Sequence, residues 1–250
     1  MPDGATTKTV SYSTQLAAFA HGLRHEQIPA DPRLRAKHLM LDAIGIALAS
    51  TKHEFSGRML RGIQALGEGG SSPVIGSDAT LTPRNAVLMN AGLMHGLDYD
   101  DTHMKAIVHA TAFCLPTALA LAQETGASGA DLLTAYVAGM ETAIRIGMAA
   151  KGGFHHGGFH ATGIVSHFGA AIIAGRMYGL TIGQIAAAQG IAASTAAAIQ
   201  VFLEEGAWSK RIHPGWGGVG GITAARLAQH GFVAPSRPYE GRFGLFHSHL

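Results

Sequence analysis

Three stretches hold the side chains that acid–base chemistry needs, and the densest is HGLDYDDTH, His95–His103. It sets three aspartates, a threonine and two histidines within nine residues of a chain whose charged fraction is only 14%. Carboxylates that are crowded or partly desolvated have their pKa raised toward the range useful for proton transfer. If the segment continues a helix starting near Thr82, then His95, Asp98 and Thr102 lie at i, i+3 and i+7 and share one face. Asp101 falls at the margin of that face, and Asp100 points away as a structural residue. Acids at a helix C-terminus oppose the macrodipole, and Lys105 and His109 just beyond are placed to compensate. Without function, the same segment is a solvated acidic helix end that caps the next segment.

The second stretch is KGGFHHGGFHATG, Lys151–Gly163. His156 and His160 are spaced as two metal ligands on one helix would be, yet glycines separate them and no H-E-x-x-H is present. A general acid or base at the mouth of the following helix is the better reading of His160, with His155 and His156 structural or exposed. The third stretch, WSKRIHPGWGG, puts Lys210, Arg211, His213 and Trp216 in a turn. Lys210 or Arg211 could hold a carboxylate there and His213 could transfer a proton; the alternative is an ordinary cationic turn. Histidine titrates near neutral pH, and the chain has 15 of them, in clusters.

The elements that must position these groups are mainly helices. Asp31-Pro32 and Thr82-Pro83 each place a capping side chain before a proline at the first helical position. Leu34, Leu41, Ile44 and Leu48 form a stripe on the first of these helices. Ser128–Asp131 and Thr181–Gln184 read as capping boxes. Only Ser71–Ser77 looks like a strand, so the expected fold is all-α with at most one short strand. The 34 glycines serve either close helix packing or loops, the two loops being Lys151–Gly163 and His213–Gly221. Neither loop matches a nucleotide-binding pattern, although glycine beside histidine and lysine suits an anionic ligand.

Composition narrows the function classes. A length of 250 residues with 47% hydrophobic side chains suits one large helical domain over 1–250. A net charge of +2 without a basic run gives no nucleic-acid footprint. The uncharged run from Met177 to Leu203 is rich in alanine, glycine, glutamine and threonine, and predicts buried helices rather than a membrane span. The polar N-terminus lacks a signal-peptide pattern, which with a single cysteine leads to a cytoplasmic expectation. That cysteine, Cys114, lies in an apolar run and reads as a buried structural thiol; alone it excludes a disulfide within the chain and a multi-cysteine iron–sulfur cluster.

In order along the chain, LMLDAIGIALA, NAGLMHGLDYDDTH, GFHATGIVSHFGAA and SKRIHPGWGG resemble the family named after MmgE and PrpD. Its members include 2-methylcitrate dehydratase, cis-aconitate decarboxylase and iminodisuccinate epimerase. The resemblance implies a cofactor-free enzyme, without a metal, that removes water or CO2 from, or epimerises, a small di- or tricarboxylate. Asp98 and Thr102 match the acidic motif, and His109 matches the histidine after it, although HAT stands where the family often has HPS. His160 matches the histidine of FHxTG and Lys210 the lysine of KRxHPG. The implied roles are His160 as leading acid or base with His109 assisting, and Asp98 and Thr102 orienting substrate or leaving group. Lys210 would anchor a carboxylate with His213 beside it. Family members usually continue into a smaller α+β domain, which is absent from these 250 residues. A homodimer is implied, or a complementary chain carrying that domain. The competing expectation is a helical subunit that binds a carboxylate without turning it over alone.

Overall fold

Helix α4 (Pro83–Met94) starts where Thr82 accepts the backbone N–H of Asn85 and Pro83 takes the first turn. Reciprocal capping boxes at Ser128/Asp131 and Thr181/Gln184 open α6 (Gly129–Ala150) and α9 (Ile182–Ala193), as their spacing predicts. The computed structural model describes residues 10–67 and 69–250; residues 1–9 of the polar N-terminal stretch lie outside it. The remaining helices are α1 (Tyr12–Gly22), α2 (Ala30–Ser50), α3 (Glu54–Gln64), α5 (Thr111–Thr125), α7 (Gly153–His156), α8 (Ala161–Met177), α10 (Phe202–Glu205), α11 (His213–Gln229) and α12 (Leu245–Ser248).

α8 is the axis of the fold. Every residue from Ala161 to Gly175 is buried, as expected for a helix apolar on all sides. It packs most extensively against α11 and α6, with α5 and α9 completing its surround. Two of its buried polar side chains turn back on the helix: Ser166 Oγ donates to the Gly163 carbonyl at 2.8 Å, and His167 Nδ1 lies 2.9 Å from the same oxygen.

The fold is all-α as expected, with three local departures. The predicted strand is half of a small hairpin: β1 (Ser72–Pro73) pairs antiparallel with β2 (Thr80–Leu81). Asn90 of α4 fastens it by accepting the Ile75 N–H at 2.9 Å and donating to the Pro73 carbonyl at 3.0 Å. α2 begins at Ala30 with Pro29 at its cap, so Asp31 lies within the first turn. Its leucine stripe is exposed, because the small face of Ala36, Ala43, Ala47 and Ser50 turns inward and permits closer approach.

The third departure matters most. The glycine-rich run after His213 is the first half of α11, not a loop. Glycine lowers helix propensity by about 1 kcal/mol, and tertiary packing overrides it here. A Cβ at Gly217 would stand 1.7 Å from Ser166 Oγ, and one at Gly221 2.5 Å from the Ala171 nitrogen. On the other flank, one at Gly215 would meet Leu88 backbone at 2.7 Å and one at Gly218 would meet Val87 at 2.4 Å. α11 can wedge between α8 and α4 only without side chains at these positions.

No helix among the described residues is long and apolar enough to cross a membrane. Cys114 is fully buried in α5, and burial pushes its thiol upward, as a structural cysteine requires. We predict that Gly221→Ala, forced against α8 backbone, destabilises the protein by about 1–3 kcal/mol. Gly45→Ala, on the open face of α2 with nothing within 4 Å, should instead stabilise it by about 0.5–1 kcal/mol. Chemical unfolding of both variants checks the pair; equal effects would refute the role given to packing.

Candidate active site

α4 stops at Met94, and His95 is its C-cap. Gly96 then lies so close to Phe55 that a Cβ would stand 2.3 Å from its ring, and Asp98 takes a left-handed φ of 55°. The helical period therefore ends before the acidic residues. This corrects the expected shared face of His95, Asp98 and Thr102: the Asp98 side chain is 60% exposed, whereas that of Asp100 is completely buried. Asp100, expected to point away, points in.

Asp100 lies between two imidazoles. His95 Nδ1 is 2.9 and 3.2 Å from its two oxygens, and His109 Nδ1 is 3.5 Å from one of them. His109 Nδ1 also lies 3.2 Å from Thr102 Oγ1, and its Nε2 is 3.8 Å from Asp98. The His109 backbone N–H donates to Thr162 Oγ1 at 3.1 Å, tying this loop to the start of α8. Asp101 is the structural acid, accepting the Thr111 N–H at 3.2 Å at the start of α5.

His160 is the N-cap of α8. Its backbone N–H donates to Ala198 at 2.8 Å, a residue held at a φ of 148°. Gly163 of the HATG element faces Ala198, where a Cβ would stand 2.3 Å from its methyl group. His160 Nδ1 lies 3.1 Å from Nδ1 of His213, the first residue of α11. The His160 ring stacks on His95 with centroids 5.6 Å apart, and Phe202 covers it at 5.8 Å. The 3-10 turn Trp208–Ile212 delivers Lys210, whose ammonium pairs with Asp98. Arg211 instead braces the loop: its Nε donates to the Gly96 carbonyl at 2.8 Å and its guanidinium lies over Phe55. Lys210, rather than Lys105, is thus the cation that compensates the acidic loop.

Of the residues singled out in the sequence, Asp98, Thr102, His109, His160, Lys210 and His213 all converge. His156 is exposed in α7 while His160 is buried, so the pair does not form a site. The sequence does not mark His95 and Asp100 as central; their signal is to sit inside the same nine-residue motif directly after an apolar helix. Among the described residues, one group brings possible metal-ligating atoms within 4.8 Å of one another: His95, Asp98, Asp100 and His109. An ammonium already occupies Asp98 and imidazoles engage both oxygens of Asp100, so the geometry is that of a hydrogen-bonded acid–base cluster. A cavity of about 650 Å³ lined by Tyr12, Phe19, Arg145 and Phe246 contains none of these groups.

The environments push the titrations apart. Burial would raise the Asp100 carboxyl, but hydrogen bonds and charge from His109 and His95 hold it well below the usual range. Burial would lower His109, yet Asp100 raises it above an ordinary histidine. Asp98 is lowered because the Lys210 hydrogen bond and charge outweigh its own burial. His160 is driven far down, mainly by burial, because a charged imidazole there would also face other groups able to carry positive charge, and His213 is pushed down to about 4 by burial, His95 and Lys210.

His167, buried in α8, is likewise lowered to about 4 by desolvation. The unfolded chain protonates such residues near pH ~6.5, before the folded chain does, so stability falls as pH drops from about 6.5 toward about 4. His109 acts oppositely: its contribution is complete at low pH and is lost as pH rises through its raised folded value. Asp100 contributes stability that disappears only below the ordinary carboxylate range. We predict a lower urea midpoint near pH 5 than near pH 7, with the gap reduced in His167→Gln. Equal gaps in the two proteins would refute the assignment.

The sequence matches the MmgE/PrpD N-terminal domain over residues 14–250. It is 28% identical over 249 residues to the cis-aconitate decarboxylase-like protein oryM of Aspergillus oryzae, covering 96% of this chain and 52% of that protein. It is 28% identical to a cis-aconitate decarboxylase of Aspergillus terreus, covering 94% of this chain and 49% of that one. It is 29% identical to that of Homo sapiens, covering 95% and 50%. The chain spans about half the length of these relatives. With its helical fold and a match running almost from end to end, the chain belongs to the MmgE/PrpD family, through the N-terminal domain.

Proposed function

We propose that this chain carries the proton-transfer machinery of a lyase centre acting on a small di- or tricarboxylate. The observation that carries the proposal is convergence. Three segments far apart in sequence bring the imidazoles of His95, His109, His160 and His213 together with Asp98, Asp100 and Lys210. The relatives named as cis-aconitate decarboxylases make loss of CO2 the first reaction to consider.

In that reaction the bond to a carboxylate breaks and CO2 leaves. Its electron pair passes into the remaining carbon skeleton, which then takes a proton from an imidazolium. Loss of water uses the same groups differently. A neutral imidazole removes a proton beside a carboxylate, the C–O bond breaks, and the departing hydroxyl takes a proton from an imidazolium. Epimerisation needs only removal of that proton and its return to the opposite face. Lys210 would exchange Asp98 for a substrate carboxylate, which is feasible because Asp98 is mostly exposed. Thr102 and His213 would orient the substrate beside His109 and His160, and no cofactor is required by these steps.

A second reading has its own observation. The acidic loop leaves Tyr99 80% and Met104 81% exposed and the Asp98 side chain 60% exposed, whereas catalysis of this kind benefits from excluding water. In that reading the chain binds a carboxylate but needs a second copy or a complementary chain over this loop for turnover.

Incubating the chain with cis-aconitate and with 2-methylcitrate, followed by NMR and CO2 release, separates the two. We expect turnover that falls at least about 100-fold in His160→Gln and His109→Gln, and a raised KM in Lys210→Gln. Binding by calorimetry without turnover would favour the second reading, and absence of both would overturn the proposal.

A further inference from the structure

The proton inventory of the cluster follows from its hydrogen-bond geometry. The Asp100 carboxylate is completely buried, so it needs a positive charge and hydrogen bonds close by. Two rings could supply the charge, and they are not equivalent. His95 offers Nδ1 to Asp100, but its Nε2 is buried without any hydrogen-bond partner. An imidazolium there would bury an N–H with nothing to accept it, which is costly; a neutral ring protonated at Nδ1 leaves only a lone pair. His109 has acids facing both of its ring nitrogens: Nδ1 lies 3.2 Å from Thr102 Oγ1 and 3.5 Å from Asp100, and Nε2 has the Asp98 carboxylate at an ion-pair separation of 3.8 Å. The charge therefore belongs on His109.

His160 has the opposite surroundings. Its Nδ1 faces Nδ1 of His213 at 3.1 Å, so one of these nitrogens must present a lone pair, and the two rings cannot both be doubly protonated. The rings of His95, His109, His155 and Phe202 surround it, and no carboxylate among the described residues is hydrogen-bonded to it.

Resting on the reading of this cluster as a proton-transfer site, we propose that Asp100, backed by a neutral His95, is a positioning residue that divides labour between the two imidazoles. It holds a proton on His109, the donor, and leaves His160 neutral as the acceptor. Asp98 is the exchangeable partner of Lys210 and adds only a secondary pull on His109. The groups facing His109 that bear on its titration are Asp98, Asp100 and Asp101 on its own loop, His95 from α4, His155 from α7, His160 at the start of α8, and Lys210. Asp100 is the acid that approaches His109 most closely, at 3.5 Å, and the raised titration of His109 agrees with it.

Nitrogen-15 NMR of the histidine rings in the unsubstituted chain tests the inventory without requiring activity. Near pH 7 we expect His95 as the neutral Nδ1–H tautomer, His109 doubly protonated and His160 neutral. An imidazolium at His95 with a neutral His109 would overturn the proposal. Asp100→Asn, checked for an unchanged circular dichroism spectrum, should move the His109 titration to lower pH and leave His160 neutral. The donor must carry its proton, so the alkaline limb of the rate profile should move the same way. The ratio of turnover near pH 6 to that near pH 8 should rise by about tenfold, as expected for losing one neighbouring charge. Asp98→Asn should change that ratio less. An unmoved His109 titration in Asp100→Asn would overturn the proposal. If the NMR results are as expected but neither carboxylate is turned over, the proton placement stands and the lyase reading falls.

Discussion

The close crossing of α11 over α8 is the constraint from which the site follows. Gly217 and Gly221 let the two backbones approach to distances that any side chain would forbid, and interiors packed this tightly leave little room for adjustment. Once α11 is seated, His213 at its first residue must lie beside His160 at the cap of α8. The 3-10 turn immediately before it must carry Lys210 to the acidic loop. On the other flank, Gly215 and Gly218 seat α11 against α4, and the C-terminal end of α4 launches His95 and Asp100. One packing decision thus sets the positions of three chemical segments.

The second organising force is electrostatic. The chain carries few charges, and its core is built mainly from alanine, leucine and isoleucine. In such surroundings a buried carboxylate survives only with partners, and Asp100 has them in His95 and His109. Imidazoles beyond its reach are pushed toward neutrality by the same burial. One low-dielectric cluster therefore biases rings of nearly identical chemistry toward different protonation states, the arrangement in which acid and base can be told apart.

Much is legible without any coordinates. The capping boxes at Ser128 and Thr181 and the Thr82-Pro83 start follow from local rules, because each rests on groups within four residues of one another, and the buried Cys114 follows from the apolar run around it. The six site residues taken from the motifs do meet. The misreadings share one cause. Helical periodicity assigns Asp100 outward, but the helix ends at His95 where Gly96 meets Phe55, a residue some forty positions earlier. The glycine run of α11 looks like a loop because helix propensity is local, whereas the reason for those glycines is the neighbouring helix.

What the sequence by itself determined is the helical class, most helix starts and the inventory of groups able to move protons. These depend on period, capping and residue type, which are properties of short segments. Only the tertiary structure decided which aspartate is buried between imidazoles, which cation faces the acidic loop, and that His95 belongs to the centre. Those outcomes depend on desolvation and on contacts between residues far apart in the chain, and both exist only after the helices have packed.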